Sequence, residues 1–411
     1  MDNMSDLTNG IDAAEAAGRL GVKRQTLYAY VSRGLISRVL SPDGRTSLFD
    51  PVEVARLAEQ RRPGSKGELR TILATSITKV GEQTLTVRGH DLLKLVNDGA
   101  RFTDIAELLW ESPNEPWRWT TVDPQIRQIA SSFTSSSPFD ALRVMVASTS
   151  ASDPRRHDLS PRCTAAAGRR LITSFVVGLM PNPCTNEADE HPVSLAKALW
   201  RALSPIQDPT PEMIDALDIA MALLADHGLA SSTFAARVAA SVRADPYSVV
   251  SAGLGALSGP LHGQAGAGVH RLLADATGLG DAQSKAVASF GTQLAVDASQ
   301  PDRSIAGFGH AVYKGDDPRH APLMAAIDKA WPDNPGVELT SSIVDTVKEQ
   351  SDRAPNVDLG LGTLTYLGGM SPSACEVIFA ISRTAGWLAH AMEEYEEEPL
   401  RFRTQARYIG R

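Results

Sequence analysis

What this 411-residue chain lacks removes several classes of answer. Its cysteines number only three, Cys163, Cys184 and Cys375, an odd and widely spaced set with no Cys-x-x-Cys pair. That argues against a disulfide framework or a structural zinc and predicts a reducing, cytoplasmic setting. No apolar stretch approaches the roughly 20 residues that span a bilayer, so no membrane partner is expected. The opening Met1-Asp-Asn-Met-Ser-Asp-Leu7 has no positive region leading into an apolar core, so no secretory leader is expected either. There is no excess of basic charge: the formal net charge is −8, which excludes an overall nucleic-acid coat or basic membrane patch. With 43% hydrophobic and 21% charged residues the chain also lies far from the composition of disorder. Gly253-Leu-Gly255 and Gly307-Phe-Gly309 are only fragments of a dinucleotide loop, and neither continues as G-x-G-x-x-G after a strand. Strand and helix patterns do not alternate, so a doubly wound sheet is excluded.

The length exceeds what one undivided hydrophobic core usually serves, and two or three domains are expected. Residues 11–36 read as two short helices, 12–20 and 23–32, around Gly21-Val22, with Ala13, Ala16, Ala17, Leu20, Leu27 and Val31 spaced to pack them together. A hairpin wing is expected around Ser41-Pro-Asp-Gly44, then a helix over 52–60 behind Asp50 and Pro51. This block resembles the small winged helix-turn-helix modules of regulators and excisionases. Arg61-Arg-Pro-Gly-Ser-Lys-Gly67 reads as a linker. Beyond it amphipathic helices dominate, clearest over 102–110, 165–179, 192–203 and 211–227, with loops at 111–116 and 150–161. The fold class expected is mainly α.

Three segments carry the chemistry: Ser258-Gly-Pro-Leu-His262-Gly, Gly307-Phe-Gly-His310-Ala-Val-Tyr-Lys314-Gly-Asp-Asp-Pro-Arg319, and Asn356-Val-Asp358. Each sets an ionisable side chain beside glycine or proline, where backbone can turn tightly and approach a ligand. Two imidazoles and a carboxylate can protonate one atom while deprotonating another, which is what making an enol from a weak carbon acid requires. A metal site from His262, His270, His310 and His320 fits no usual ligand spacing. His90, His157, His191, His270, His320 and His390 read as structural, and Cys375 as core within a helical apolar run.

With Ala225-Asp-His227, Gly259-Pro-Leu-His262-Gly, Gly307-Phe-Gly-His310, Asp317-Pro-Arg319, Asn356-Val-Asp358 and Ser382-Arg383-Thr-Ala-Gly-Trp387-Leu-Ala-His390 in this order, the chain resembles the citrate synthase family from about Leu69 to Gly410. The resemblance implies a two-domain helical fold, with a large domain over 69–264 and 371–411 and a small domain over 265–370, behind an N-terminal module over 1–62. It implies condensation of acetyl-CoA with oxaloacetate through an enol and a citryl thioester that is then hydrolysed. Asp358 would be the base, His262 the donor to the thioester carbonyl, and His310 the donor to the keto oxygen. His227, Arg319, Arg383 and, from a partner subunit, Arg403 would bind oxaloacetate, while Lys314 would lie near the coenzyme A phosphates. No tightly bound cofactor is implied, only the coenzyme A thioester as co-substrate, and the assembly would be a homodimer or higher even oligomer.

The sequence departs from the family pattern at Gln264-Ala-Gly266-Ala267 after His262, at Leu359-Gly360 after Asp358, at Gly228 and Ala230, and at Gln405. Every proton-transfer group stays in place while its surroundings change. 2-Methylcitrate synthase, using propionyl-CoA, is the close alternative, since one methylene is worth only ~1–3 kcal/mol in a pocket. A DNA-binding, metabolite-sensing regulator is the alternative of another class. Arg24, Gln25 and Tyr28 could read a groove, yet residues 1–65 carry nine Lys/Arg against eight Asp/Glu, and weak DNA binding at best is expected.

Overall fold

The structure, a computed structural model, describes residues 11–20, 22–32, 36–41, 46–51, 53–54, 72–112, 115–134, 137–180, 194–259, 262–278, 305–310, 312–351, 353–403 and 408. It divides into two compact units, Met1–Ala74 and Thr75–Arg411.

In the first unit Asp12 ends a short strand β1 (Ile11–Asp12) and caps α1 (Ala13–Arg19), its carboxylate accepting from the N–H groups of Ala14 and Glu15 at 2.8 Å each. α2 (Arg24–Ser32) follows, then β2 (Arg38–Leu40) and β3 (Ser47–Phe49), pairing antiparallel in the order β1-β3-β2. Ala16, Ala17, Leu20 and Leu27 are buried with Tyr30, Ile36, Phe49 and Val54, and Ala13 and Val31 pack against them. Gly21, the turn at 42–45, most of the helix expected over 52–60 and the linker at 61–67 lie outside the described residues.

The second unit opens with an antiparallel sheet, β4 (Thr78–Val80), β5 (Leu85–Val87) and β6 (His90–Asp91). All its other described elements are helices: α3 (Leu92–Asn97), α4 (Phe102–Trp110), α5 (Pro124–Thr134), α6 (Pro138–Ser152), α7 (Pro161–Leu179), α8 (Leu195–Leu203), α9 (Pro211–Leu224), α10 (Ser231–Ser241), α11 (Pro246–Leu257), α12 (Ala265–Gly278), α13 (His320–Ala330), α14 (Pro335–Gln350), α15 (Val357–Leu367) and α16 (Ala374–Glu396). Proline at the first turn fits α5, α6, α7, α9, α11 and α14, since its missing N–H would have no intrahelical partner there. The helix expected over 165–179 begins earlier, at Pro161, for this reason, and the loop before it shrinks to 153–160. The helix expected over 192–203 begins at Leu195.

α16 is apolar around most of its circumference and, apart from Glu376, is buried from Ala374 to Met392, as expected of a helix enclosed on nearly all sides. It packs against α4, α6, α7, α9, α10, α11 and α12. Trp110 on α4 donates its indole N–H to the Ala385 carbonyl at 2.9 Å. A second apolar cluster gathers Val269, Leu273, Ile305, Phe308, Leu339, Ile343, Val347 and Leu359 among α12, α14 and α15.

Candidate active site

The segment 307–310 is held to 354–356 by main-chain bonds. Gly309 donates to the Ala354 carbonyl at 2.8 Å, Asn356 N–H to Gly307 at 2.9 Å, and the Asn356 side-chain amide to Gly309 at 2.7 Å. Gly307 has φ +82°, and a Cβ there would also press on Val269, so only glycine serves. Asn356 also caps α15 by accepting from the Asp358 N–H at 3.0 Å. Asp358, the base candidate, is therefore fixed in the first turn of α15 by the strip that presents His310. Asp358 is half-buried. That burial pushes its pKa up to about 6, against the pull of Arg319 and Arg383 and with the push of Asp317.

Asp317 joins Arg319 to this strip. Its carboxylate receives Arg319 Nε at 3.0 Å and Nη2 at 2.7 Å, and the Val357 N–H at 3.0 Å, capping α15 from outside. Arg319 is thus buried with its planar fork locked on one side.

His310 Nδ1 accepts from the backbone N–H of Val312 at 3.0 Å and of Tyr313 at 3.3 Å. An acceptor at Nδ1 leaves the ring proton on Nε2. Burial and then Arg319 keep its pKa below the usual imidazole value, so the neutral donor form is favoured. Its ring centroid lies 5.0 Å from that of His227, whose Nε2 is 2.9 Å from the Tyr313 hydroxyl.

The helix expected over 211–227 stops at Leu224, which corrects the sequence reading: the Asp226 carboxylate takes the Gly228 N–H at 2.9 Å and closes a turn. That turn carries His227 into the site. Burial, then Arg319, Arg383 and His310, drive the His227 pKa far below its ordinary value, so its imidazole is neutral. On α16, Gly386 makes room for this turn, donating its N–H to Ala225 at 3.1 Å; a Cβ there would strike both the Ala225 carbonyl and the Asp226 carboxylate.

Arg383 is buried on the same helix face. Its Nε donates to the Leu224 carbonyl at 2.8 Å and its guanidinium lies 4.6 Å from the Phe379 ring centre. Among the described residues no carboxylate pairs with it at ion-pair distance. Burial pulls its pKa down to about 10, the cation of a site that calls for an anion. Phe379 also meets His262, with centroids 6.0 Å apart. His262 Nε2 is 2.8 Å from Ser232 Oγ, which accepts the Trp387 indole N–H at 3.2 Å. Burial and then Arg383 lower the His262 pKa.

His227, His262, His310, Arg319, Arg383 and Asp358 therefore share one electrostatic neighbourhood. Lys314 and Arg403 do not join it: both are exposed and neither contacts these groups within the chain. Sequence reasoning quoted Asp226, Tyr313 and Asp317 inside motifs without giving them roles, and missed Ser232, which carries no motif signal. Among the described residues no three His, Cys, Asp or Glu side chains cluster to hold a metal ion. At Gly360 a Cβ would come 2.8 Å from Leu323 Cδ2, so Leu323 occupies that space.

Fold and site together define a helical enzyme class, one suited to moving protons at carbon beside a bound anion. Residues 69–405 match the family profile "Citrate synthase, C-terminal domain", and the chain belongs to the citrate synthase family. It is 31% identical over 345 residues to the citrate synthase of Haloferax volcanii, covering 78% of this chain and 88% of that protein. With the 2-methylcitrate synthase of Mycobacterium tuberculosis it shares 28% identity over 373 residues, 85% of this chain and 91% of that one. The solved citrate synthase of Thermoplasma acidophilum, in complex with carboxymethyl coenzyme A and oxaloacetate, superposes with a TM-score of 0.68 at 23% identity, covering 83% of this chain and 94% of the other. The chain is an acyltransferase of this family, whose members work without a tightly bound cofactor.

Proposed function

We propose that the chain condenses acetyl-CoA with oxaloacetate and releases citrate and coenzyme A, with Asp358 as the base. The observation that carries this reading is the half-buried Asp358 carboxyl, pushed up to about 6 and set on the same strip that presents His310 and the buried Arg319. A general base works best with a pKa near the operating pH. Asp358 takes a proton from the carbon next to the thioester while His262 hydrogen-bonds the thioester oxygen, so that charge does not build up alone. The enol carbon attacks the oxaloacetate ketone, whose oxygen receives the Nε2 proton of His310. Water then cleaves the citryl thioester, yielding citrate and the free thiol.

Arg319 and Arg383 hold the two carboxylates, with His227 beside them. Arg403 completes the site from a second copy of the chain. Support comes from exposed apolar side chains around α10 and the C-terminal segment, Leu229, Val238, Val242 and Leu400, a surface suited to a dimer. Lys314 faces the coenzyme A phosphates from the exposed rim. A small domain over 265–370 is supported by the second apolar cluster, which falls entirely within it. The test is release of free thiol from acetyl-CoA only when oxaloacetate is present, run beside propionyl-CoA. No thiol from either thioester would sink the proposal, and faster release from propionyl-CoA would transfer it to 2-methylcitrate formation, which similarity to the M. tuberculosis enzyme keeps in view.

The first unit we read as a winged helix-turn-helix with weak affinity for DNA. Its support is the α1–α2 pair, the β2–β3 hairpin, and Arg38 lying 5.8 Å from the Tyr28 ring centre beside α2. A discrete, salt-tolerant DNA site lost on Arg24→Ala would replace this view with that of a regulator. No helix among the described residues is long and apolar enough to cross a membrane. The cytoplasm is the compartment we infer.

A further inference from the structure

Behind His227 and Arg383 runs a line of buried charge that the proposed chemistry leaves unused. Asp226, next to His227, has Oδ2 3.5 Å from His390 Nε2. On the other side of that imidazole, Arg237 Nη1 lies 3.0 Å from His390 Nδ1. A guanidinium only donates, so Nδ1 must accept and the ring proton stands on Nε2, facing Asp226. Arg237 Nε then donates to Glu394 Oε2 at 3.0 Å, and Nη1 to Glu393 at 2.6 Å. Glu394 is gripped from its far side by Arg401, Nε to Oε1 at 2.7 Å and Nη2 to Oε2 at 2.6 Å. Asp226, Arg237, His390 and Glu394 are all 0% exposed. Burial alone would raise the Asp226 pKa, but the facing His390 and Arg383 lower it, so the chain ends in a negative charge beneath the substrate turn.

Buried ion pairs add little stability over apolar packing of the same volume. Four side chains linked by hydrogen bonds, His390, Arg237, Glu394 and Arg401, with Asp226 facing His390 at 3.5 Å, are better explained by what they connect. One end is the turn that presents His227; the other is Arg401, two residues before Arg403. We propose that Asp226, His390, Arg237, Glu394 and Arg401 form a positioning relay, through which the seating of the C-terminal segment sets the geometry of the keto-acid-binding turn. The proposal rests on the reading of His227 and Arg383 as substrate ligands. Each link is directional. Without Arg401, Glu394 keeps only Arg237 as a counter-charge and draws it from His390; His390 then loses the bond that fixes its tautomer, and Asp226 loses its facing N–H. None of the relay residues touches substrate, so their effect falls on binding of the keto acid rather than on the proton-transfer step.

The test is steady-state kinetics for both substrates, with calorimetric oxaloacetate binding, on Arg401→Met, His390→Phe, His390→Gln and the double variant Arg401→Met/His390→Phe. Arg401 is partly exposed and Met keeps much of its volume, so that variant remains informative if His390→Phe fails to fold. The relay predicts that Arg401→Met raises the oxaloacetate KM at least fivefold with the acyl-CoA KM unchanged. His390→Gln, whose amide can accept from Arg237 and donate to Asp226, should lie closer to wild type than His390→Phe. The double variant should be no worse than its worse parent. Unchanged oxaloacetate KM in Arg401→Met, with only a lower melting temperature, overturns the relay, as does a double variant whose losses simply multiply. Normal oxaloacetate binding in His227→Ala would remove the substrate-site reading and the relay together; normal binding in the relay variants alone would remove only the relay.

Discussion

The two halves of the candidate site are held by different physics. His310, Arg319 and Asp358 stand on one strip, 307–319 with 354–358, fixed mainly by main-chain bonds and by the side chains of Asn356 and Asp317 within the same motifs. His227, His262 and Arg383 depend instead on α9, α10, α11 and α16 arriving together, with Ser232, Trp387, Gly386 and Asp226 as the contacts that register them. The first half is local and stiff; the second is only as accurate as the packing of distant helices. On the proposed assignment, proton transfer by Asp358 and His310 sits on the first, while anion binding is shared between Arg319 on the first and His227 and Arg383 on the second.

The largest effect should separate the two. Asp358→Ala is expected to lower kcat by about a thousandfold or more while oxaloacetate still binds within threefold of wild type, because the carboxylate acts on the thioester and not on the keto acid. Calorimetry beside turnover measures both. Lost oxaloacetate binding would mean that the halves are not separable in this way. Next in size is the shared site: Arg319→Ala and Arg403→Ala, each nearly inactive alone, should regain roughly a quarter of wild-type activity after equal mixing and subunit exchange, since half the dimers are mixed and carry one intact site. No recovery in dimers confirmed as mixed would return Arg403 to its own chain.

Smaller effects sharpen the packing half. Gly386→Ala should destabilise the fold by about 1–3 kcal/mol and raise the oxaloacetate KM, because the added methyl drives α16 from the Ala225–Gly228 turn. Denaturant unfolding and kinetics together read it, and a stable variant with normal KM would show that the turn tolerates displacement. Asp358→Asn should be more stable than wild type at pH 7 by on the order of 1–2 kcal/mol. The sign follows from the raised pKa: the folded protein holds this proton more tightly than the unfolded chain, so stability drains away as pH rises from the ordinary carboxylate range through about 6.

The same division explains what could be read from the sequence. Gly307, Gly309, Asn356 and Asp317 sit inside the motifs they organise, and Asp358 at the start of α15 and the loop-borne His310 and Arg319 were legible from local pattern. The amphipathic run over 102–110 is α4 to the residue, because its apolar spacing and left-handed end at Glu111 are also local. The end of α9 was not legible: alanine and leucine favour continuing the helix, and it stops because Asp226 is claimed by the Gly228 N–H and by His390 from another helix. Ser232 was invisible for the same reason, since its role depends on a histidine 30 residues away and a tryptophan 155 residues away. His390 read as structural from sequence; the structure shows it as a buried link rather than an inert one.

The central claim is that Asp358 is a half-buried base poised near neutrality in the unliganded enzyme, and the pH dependence of kcat/KM tests it most directly. With both substrates well below saturation and folding checked by circular dichroism at each pH, kcat/KM should fall along an acid limb with an apparent pKa of about 6, losing close to tenfold for each pH unit below it, as the carboxyl takes up a proton. A kcat/KM that stays level from pH 7 down to pH 5 in folded protein would contradict the account.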